Sequence, residues 1–405
     1  MKVLVINCGS SSIKYQLYDA QADQVMAEGI VAKIREEGSY LRHKAKGKEW
    51  RFDLPIPSHR EGFELIIQSL LDEEYGVVRD LSEVSAVGHR TVHGGDTFFE
   101  STVIDESVIE KLEECIPLAP LHNPPNLLGI REAKRLLPDI PHVAVFDTSF
   151  HQTIPPRAYL YALPYEYYEN FKIRRYGFHG TSCRYVSQKA ACEILRRPLE
   201  KLKMIICHLG NGVTVAAIDR GKSVDTSMGF TPLEGLMMGT RCGDIDPGVV
   251  FYLHRRLGLS IDRIDDLLNK ESGLLGVSGV SNDMRVVLER AENGDARCQL
   301  AVDVFTYRVR KYIGAYSAAL GGLDALVFTA GIGENSWKIR AMVCEGLEFL
   351  GIELDEEKNR LSIGIPSIIS REGSKVSVLV VPTSEERMII QDTIRLARAA
   401  IENPH

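Results

Sequence analysis

The chain of 405 residues has a net charge of −7, with 44% apolar and 25% charged residues, which is ordinary for a globular enzyme of two or three domains. The acidic balance argues against nucleic acid or an anionic membrane as a partner, and no apolar run approaches the roughly 20 residues of a membrane-spanning helix. Eight scattered cysteines without a CxxC pair favour reduced thiols, and with no secretory signal in the sequence we expect a cytoplasmic protein.

The N-terminus predicts a β-hairpin. Residues 2–6 are an apolar run, residues 7–12 form the polar turn NCGSSS, and residues 13–19 are a second strand that ends in Asp19. An irregular β-rich segment follows, and apolar residues at helical spacing predict a helix over residues 61–75.

Two polar segments follow predicted strands. After a strand at residues 84–87, the segment GHRTVHGGD places Arg90 and two histidines among glycines, and a strand at residues 142–146 ends at Asp147. Ligands of open α/β sheets bind at such strand ends, so we interpret Arg90 as an anion-binding residue and Asp147 as a site residue. A surface loop with incidental charge is the alternative for the first segment. Prolines 155 and 156 predict a domain boundary near residue 150.

Residues 204–219 repeat the N-terminal pattern, because a strand, a Gly-Asn-Gly turn and a second strand lead to Asp219. Glycine turns leave backbone N–H groups accessible, as phosphate binding requires, although a single hairpin of this kind is more often purely structural. Two copies roughly 200 residues apart predict a duplicated fold with two facing phosphate turns.

Two further residues of this half are candidates for chemistry. His179 precedes a predicted helix that ends near residue 195, and helix N-termini favour anions. Core packing is the alternative for one histidine, and the adjacent Arg174 and Arg175 make it less attractive. The glycine-rich stretch over residues 225–248 has no periodicity; loops of this length are usually functional, and Arg241 is its best candidate.

The last third predicts two short helices over residues 260–290 and a long helix over residues 295–320. A buried strand over residues 323–328, a glycine loop over residues 329–336 and a further helix are typical of a nucleotide phosphate site. A β-like segment over residues 361–370, a last strand over residues 375–381 and a terminal helix through residue 401 complete the chain. That helix could pack on the first domain, which would make the first domain discontinuous.

Several common motifs are absent. Gly-Lys-Ser at residues 221–223 does not end a Walker A loop, because Ala216 occupies the position of the first glycine. The sequence also lacks a protein-kinase glycine loop, a GxSxG elbow and an HExxH pair. Any phosphate machinery therefore belongs to another class.

Taken together, the motifs resemble the acetate kinase family in order and over nearly the whole chain. The matching blocks are NCGSSSIK (7–14), HRTVHGG (89–95), FDTSFH (146–151), RYGFHGTS (175–182), HLGNG (208–212) and residues 228–241, 331–335 and 382–386. Cys8 and Thr91 depart from the residues usual there, and neither departure removes a group that the chemistry needs.

The resemblance implies an α/β protein with the duplicated actin-like ATPase (ribonuclease H-like) fold and an interdomain active-site cleft. It implies an N-terminal domain of residues 1–150 plus 383–405, a nucleotide-binding and dimerisation domain of residues 151–382, and hence a homodimer. The implied reaction is reversible, direct in-line phosphoryl transfer from ATP to acetate, giving acetyl phosphate and ADP, with Mg²⁺ or Mn²⁺.

The resemblance also assigns catalytic and metal-binding roles. Arg90 and Arg241 would grip the acetate carboxylate and the moving phosphoryl group, His179 would donate to the transferring oxygens, and Asp147 would orient the arginines or the metal shell. Asn7 and Glu385 would hold the metal or its waters.

The remaining implied roles concern the two substrates. Arg90 would bind acetate beside a pocket for its methyl group, formed by Val92, Leu121, Phe178 and Pro232. For these four residues, packing in the protein core is the alternative interpretation. Residues 208–212 would contact the β- and γ-phosphates, and the other nucleotide segments would hold the adenosine and α-phosphate side. The residues implied to bind ATP are Lys14, His208, Leu209, Gly210, Asn211, Gly212, Asp283, Met284, Arg285, Gly331, Ile332, Gly333, Glu334 and Asn335.

Two alternatives remain. The first is a propionate or butyrate kinase, since one methylene in an apolar pocket is worth only about 1–3 kcal/mol. The second is a binding or chaperone-type ATPase module of the same fold, which would lack the segments at residues 89–95 and 175–182. The sequence leaves the acyl preference, the physiological direction and the metal preference open.

Overall fold

The computed structural model describes residues 1–402, which form two compact units. Unit 1 comprises Met1–Ser149 together with the chain from Ser384 onward, and unit 2 comprises Phe150–Thr383. In the part of the chain that the structure describes, no helix is both long and apolar enough to cross a membrane.

Unit 1 contains an eight-stranded sheet in the order β5-β4-β3-β2-β1-β6-β8-β7. Its strands are β1 (Lys2–Cys8), β2 (Ser12–Asp19), β3 (Gln24–Ala32), β4 (Tyr40–Ala45), β5 (Lys48–Asp53), β6 (Val84–Thr91), β7 (Thr102–Val103) and β8 (His142–Phe146). Strand β1 pairs antiparallel with β2 and parallel with β6, which pairs parallel with β8. The ends of β1, β6 and β8 therefore bring Asn7, Arg90 and Asp147 to one edge of the sheet.

Helices cover both faces of this sheet. They are α1 (His59–Leu71), α2 (Glu106–Glu114), α3 (Asn123–Leu136) and the C-terminal α15 (Glu385–Glu402). Successive residues of β1 point to opposite faces: Leu4 and Ile6 belong to a core with Phe63 of α1, whereas Val3 and Val5 pack with Ile389 of α15. The side chain of Asp105 accepts a hydrogen bond from the Val108 N–H at 2.9 Å and so caps the start of α2.

Unit 2 repeats the central part of the unit 1 sheet. Its strands are β9 (Lys203–Leu209), β10 (Val213–Asp219), β11 (Lys222–Thr226), β12 (Ala325–Thr329), β13 (Ser367–Ile368) and β14 (Ser377–Val380). The order β11-β10-β9-β12-β14 matches β3-β2-β1-β6-β8, and in both sheets the first three strands are antiparallel and the last three parallel. The first hairpin of each repeat also ends at an equivalent pair of residues: Lys2 pairs with Asp19, and Lys203 pairs with Asp219. The predicted duplication is confirmed.

The helices of unit 2 differ in part from those predicted from the sequence. They are α4 (Pro156–Tyr159), α5 (Glu166–Phe171), α6 (Gly180–Lys189), α7 (Gly248–Leu257), α8 (Ile261–Lys270), α9 (Gly273–Ser278), α10 (Met284–Glu292), α11 (Ala296–Leu320), α12 (Ala330–Asn335), α13 (Trp337–Cys344) and α14 (Glu356–Leu361). Three helices, not two, occupy residues 261–292, and the predicted glycine loop at residues 329–336 is largely helix α12. Over residues 361–370 only Ser367–Ile368 is a strand.

Candidate functional site

The arginine of unit 1 is held by two carboxylates. Arg90, at the end of β6, donates from Nε and Nη2 to the two carboxylate oxygens of Asp147 at 3.1 and 2.7 Å. Asp147 directly follows β8 and is 2% exposed. Glu385, the first residue of α15, places a carboxylate oxygen 3.5 Å from the Arg90 Nε. The cluster thus depends on two strand ends and one helix N-terminus.

Each member of the pair favours the charged form of the other. Burial lowers the pKa of Arg90, but Asp147 and Glu385 outweigh it and raise that pKa above its usual value. Burial raises the pKa of the Asp147 carboxyl, and Arg90 counteracts this through its charge and hydrogen bonds. A guanidinium that cannot lose its proton favours the ionised form of the carboxylate beside it.

A cavity of about 440 Å³ in unit 1 adjoins this pair. Four predicted site residues line it, Asn7, Lys14, Arg90 and Glu385. Asn7 and Lys14 are cross-strand partners on β1 and β2, and α15 brings Glu385 to the same cavity. The structure therefore brings together the two predicted metal ligands and the arginine of unit 1.

The oxygen donors in this cavity fit a divalent ion of the Mg²⁺ type. Asn7 supplies an amide oxygen and Glu385 a carboxylate. Within residues 1–402, no cluster of three or more His, Cys, Asp or Glu side chains forms a dedicated metal cage. Mg²⁺ commonly binds through one or two protein oxygens and keeps its remaining ligands from water and phosphate.

In unit 2, His179 and Arg241 converge on the turn between β9 and β10. A methyl group built on Gly212 would lie 3.1 Å from the Cε1 atom of His179 and 3.6 Å from the Nη1 atom of Arg241. The imidazole and the guanidinium therefore approach the same point of backbone. A glycine at this position leaves room for both groups, whereas an added methyl group would crowd the His179 ring.

Hydrogen bonds and stacking fix the His179 ring. Its Nδ1 is 2.9 Å from the Thr214 hydroxyl, and the ring stacks on His208 with centroids 4.2 Å apart. The Nδ1 atom of His208 is in turn 2.8 Å from the hydroxyl of Ser182, which contacts Thr383 at 2.7 Å. His179 precedes α6, as the sequence predicts, with a left-handed φ of 57°.

Arg175 and the predicted site residue Arg241, both in unit 2, differ in their partners. In the described chain no carboxylate lies within ion-pair distance of Arg241, whose Nη1 donates to the Pro232 carbonyl at 3.3 Å, and burial lowers its pKa. Arg175 donates to the carbonyls of three consecutive residues, 226 to 228, and to Glu234 at 2.5 Å. Arg175 therefore binds groups of the protein itself, whereas Arg241 has no carboxylate counter-ion among the described residues.

A second cavity, of about 620 Å³, lies in unit 2 between the β9–β10 turn, α10, α12 and α13. Eight of the residues predicted to bind nucleotide line it, namely Gly210, Asn211, Asp283, Met284, Arg285, Gly331, Ile332 and Asn335. Five further residues line the cavity and were not among those predicted, namely Asn282, Leu288, Ser336, Trp337 and Lys338. The indole of Trp337 was detectable, since it follows the glycine motif by two residues.

Other predicted nucleotide residues lie outside this cavity lining. His208, Leu209 and Gly212 belong to the β9–β10 hairpin, Gly333 is buried within α12, and Lys14 belongs to unit 1. One Glu334 carboxylate oxygen accepts from the backbone N–H groups of Ala330 at 2.7 Å and Thr383 at 3.0 Å. The carboxylate of Glu334 thus stabilises the backbone of the β12–α12 junction.

The family model described as "Acetokinase family" matches residues 2–391. The chain belongs to the acetokinase family. It is 57% identical to the acetate kinase of Thermotoga maritima over 395 residues, which is 97% of this chain and 98% of that protein. It is 54% identical to the acetate kinase of Halothermothrix orenii over 400 residues, 98% of this chain and 100% of the relative.

Solved structures of the family agree with this fold. The crystal structure of Porphyromonas gingivalis acetate kinase has a TM-score of 0.93 at 50% identity, and a propionate kinase from Francisella tularensis has a TM-score of 0.91 at 42% identity. Each comparison covers 98% of this chain and 99% of the other. The predicted fold class is confirmed.

The four residues predicted for the methyl pocket differ in environment. Val92 and Phe178 are buried, and Pro232 is half-buried. Leu121 is 59% exposed in the turn before α3. Val92 and Leu121 belong to unit 1, and Phe178 and Pro232 to unit 2. Their role in an acyl pocket stays a prediction for this member of the acetokinase family.

Two buried amides of unit 1 escaped the sequence analysis. Asn123 donates to the carbonyls of His93 at 3.0 Å and Cys115 at 3.3 Å. Asn126 contacts the ends of both β1 and β6. Both lie in the first turn of α3, where polar residues are usually exposed to solvent. Their position therefore did not indicate that they are buried.

Proposed function

We propose that the chain catalyses reversible phosphoryl transfer between ATP and acetate, giving acetyl phosphate and ADP. The observation that carries the proposal is the half-buried Arg241 guanidinium, which has no carboxylate partner in the described chain and approaches the same glycine turn as His179. A partly desolvated cation without a counter-ion favours an anionic ligand, because the ligand supplies the missing charge. Relatives named acetate kinases share 52–57% of its residues.

The chemistry asks for positioning and positive charge. Acetate is already a nucleophile, so its carboxylate needs no strong general base, and the attacking oxygen forms a bond to the γ-phosphorus as the bond to the ADP oxygen breaks. The charge that spreads over the equatorial oxygens must be neutralised. We propose that Arg90 and Asp147 in unit 1 and His179 and Arg241 in unit 2 serve this one reaction.

Arg90 is oriented for this task. Asp147 occupies its Nε and Nη2 atoms, which leaves the two N–H groups of Nη1 for a carboxylate or phosphoryl oxygen. A guanidinium held this way keeps its fork in one plane, and lysine could not reproduce that geometry. Asp147 would act through Arg90 and not by accepting a proton from the substrate.

His179 can act as a hydrogen-bond donor. If the Thr214 hydroxyl donates to Nδ1 across their 2.9 Å contact, the neutral ring carries its proton on Nε2. A methyl group on Gly212 would lie 3.4 Å from that Nε2 atom. We propose that Nε2 donates to a transferring phosphoryl oxygen beside the glycine turn.

Asn7 and Glu385 would hold Mg²⁺, with Mn²⁺ able to replace it. A bound ion of this kind neutralises part of the charge on the β- and γ-phosphates. The unit 2 cavity of about 620 Å³ is large enough for a nucleoside, and its half-buried Trp337 offers an aromatic face. We propose that ATP and ADP bind there through the β9–β10 turn, α10 and α12.

Acetate is the preferred acyl group in this proposal because the acetate kinases above are closer in identity than the propionate kinase, 57% against 42%. A propionate or butyrate kinase is the alternative. One additional methylene discriminates by only about 1–3 kcal/mol, so activity with propionate is expected beside that with acetate.

We also propose a homodimer built through unit 2, in the cytoplasm. Helix α7 contains no buried residue, and Phe251 and Tyr252 on it are 56% and 60% exposed. Apolar side chains grouped on a helix surface are typical of a protein interface, and the family resemblance names a second copy as its occupant. The eight free cysteines support a reducing compartment.

The experiment is an acyl-hydroxamate assay with ATP and acetate, propionate, butyrate or no acid. Acetate-dependent hydroxamate with weaker propionate activity supports the proposal. A preference for propionate or butyrate would instead favour a propionate or butyrate kinase. ATP hydrolysis without hydroxamate would indicate an ATPase module that transfers no phosphoryl group to an acid. Sedimentation of the wild type and of Phe251→Glu tests the dimer, since a charge in an apolar interface would give monomers.

A further inference from the structure

We infer that Asn126 is a positioning residue that sets the spacing between the strand ends carrying Asn7 and Arg90. The inference rests on the proposed function, because that function gives both residues their roles. It concerns unit 1 alone.

One side-chain amide bridges the two strand ends. The Nδ2 group of Asn126 donates to the Cys8 carbonyl at 2.8 Å, and its Oδ1 accepts from the Val92 N–H at 2.9 Å. Cys8 follows Asn7 directly, and Val92 lies two residues after Arg90. Asn126 is 5% exposed, so water cannot easily replace either bond.

The bridge begins where the backbone ladder ends. Strands β1 and β6 pair in parallel register from Lys2 to Ile6, whose partner is His89. The next residues on the two strands are Asn7 and Arg90, and this register does not extend to them. Beyond the last pair, the Asn126 amide joins the two strands through its bonds to Cys8 and Val92.

The chemistry of the bridge requires an amide. It needs one donor and one acceptor in a single plane, which asparagine has and leucine or an ionised aspartate lacks. Loss of the donor would leave the Cys8 carbonyl unpaired in a buried place. The strand end would then relax, and the Asn7 oxygen would move relative to the Arg90 guanidinium in the cavity that both line.

The same helix provides a matched control. Asn123 is 1% exposed in the same turn of α3, and its amide binds the carbonyls of His93 and Cys115. It therefore supports the segment after β6 without joining β1 to β6. A general packing role for buried amides in α3 would make the two asparagines equivalent.

The test compares Asn126→Asp, Asn126→Leu and Asn123→Asp with the wild type between pH 5.5 and 8.5. Three quantities are measured: kcat and KM for acetate, Mn²⁺ affinity by electron paramagnetic resonance without turnover, and Tm. In N126D the oxygen can still accept from Val92, but the ionised carboxylate repels the Cys8 carbonyl. We expect Mn²⁺ affinity and kcat to fall about 10- to 100-fold at pH 8, as for other residues that orient metal ligands.

The distinctive result is recovery at low pH. A protonated aspartic acid can donate to the Cys8 carbonyl as the amide does, so N126D should approach the wild type as the pH falls, whereas N126L should not. N123D is expected to lower Tm without changing Mn²⁺ affinity. If N126L does not fold, N126D still decides, since it is compared with itself at two pH values.

Other outcomes overturn the inference. These are wild-type Mn²⁺ affinity in N126D, an equal loss of affinity in N123D, a defect in N126D that does not depend on pH, or failure of N126D to fold at any pH while N123D folds. A wild type without acetate-dependent activity would overturn the proposed function instead, and Mn²⁺ binding and Tm would still test the role of Asn126.

Discussion

Asp147 engages Arg90 through both of its carboxylate oxygens, at 3.1 and 2.7 Å, from the neighbouring parallel strand. The carboxylate is 2% exposed, and the arginine has a second, longer contact with Glu385 at 3.5 Å. This arrangement fixes the direction of the guanidinium and also stabilises unit 1, because each buried charge depends on the other.

Replacing Asp147 with Asn should therefore reduce activity and stability together. The amide NH₂ would face the guanidinium, and Arg90 would turn towards Glu385. We expect turnover to fall about 10²- to 10³-fold and the free energy of unfolding to fall by about 3 kcal/mol, measured by steady-state kinetics and urea unfolding. Asp105→Asn is the control, since asparagine caps α2 as well as aspartate does. Normal turnover in D147N would contradict the orienting role.

Replacing Arg241 with Leu should have the opposite effect on stability. Burial lowers the pKa of Arg241, and no carboxylate of the described residues pairs with it. Its removal relieves a half-buried charge that has no counter-ion among the described residues, so we expect unfolding free energy to stay the same or rise while turnover falls about 10²- to 10⁴-fold. Arg263→Gln on exposed α8 is the control. Near-full turnover of R241L at saturating substrates would remove Arg241 from the mechanism.

The places of Arg90 and Asp147 at the ends of neighbouring parallel strands could be predicted, because a run of apolar residues leads to each of them and this local pattern is independent of distant contacts. Their roles in the reaction stay predictions. The sequence could not predict the use of Arg175, whose acceptors are carbonyls about 50 residues further along the chain. It could not predict Asn126 either, because the amide reaches a carbonyl 118 residues away. Such contacts depend on the packed fold and leave no local pattern.

Helix α12 was predicted as a loop for a different reason. Its two glycines have low helix propensity, so the composition favours a loop. The carboxylate of Glu334 accepts from the Ala330 N–H at the first turn, and this contact supplies stability that composition does not show. The strand before it and the helix after it were predicted, because apolar patterning is strong there.

Gly212→Ala should disturb His179 and Arg241 at once. The new methyl group would lie 3.1 Å from the His179 Cε1 atom, which is closer than most carbon contacts in proteins. We expect kcat to fall about tenfold or more, as in other cases of small misplacement, with little change in Tm. Gly314→Ala is the matched control, because nothing lies within 4 Å of its added methyl group in α11. Equal kinetics for the two variants would place His179 and Arg241 outside the reaction.

Glu334 and Ala330 should be coupled. Ala330 has a φ of 63°, a left-handed conformation that costs a residue with a side chain about 1–2 kcal/mol, and its N–H binds Glu334 at 2.7 Å. Glu334→Ala should weaken ADP binding, because the β12–α12 turn loses this support. Adding Ala330→Gly should restore much of that affinity, since glycine adopts this φ without help. Calorimetric titration of the single and double variants measures the coupling, and additive effects would argue against it.

The buried pair His89 and His142 predicts a loss of stability in mild acid. Their rings are 3.0 Å apart between Nε2 and Nδ1. Burial lowers the pKa of His142 to about 4 and, with the neighbouring His142 and Lys134 charges, lowers that of His89 well below its usual value. Below pH 6.5 the unfolded chain binds protons that the folded chain cannot, so unfolding free energy should fall as the pH drops from about 6.5 towards 4.

The slope is up to about 1.4 kcal/mol per pH unit for each histidine. Urea unfolding at pH 7.0 and 5.0 measures it, and His142→Gln should reduce the difference between the two pH values, because glutamine has no proton to gain. Equal pH dependence in the wild type and H142Q would show that the pair does not govern the acid sensitivity of the protein.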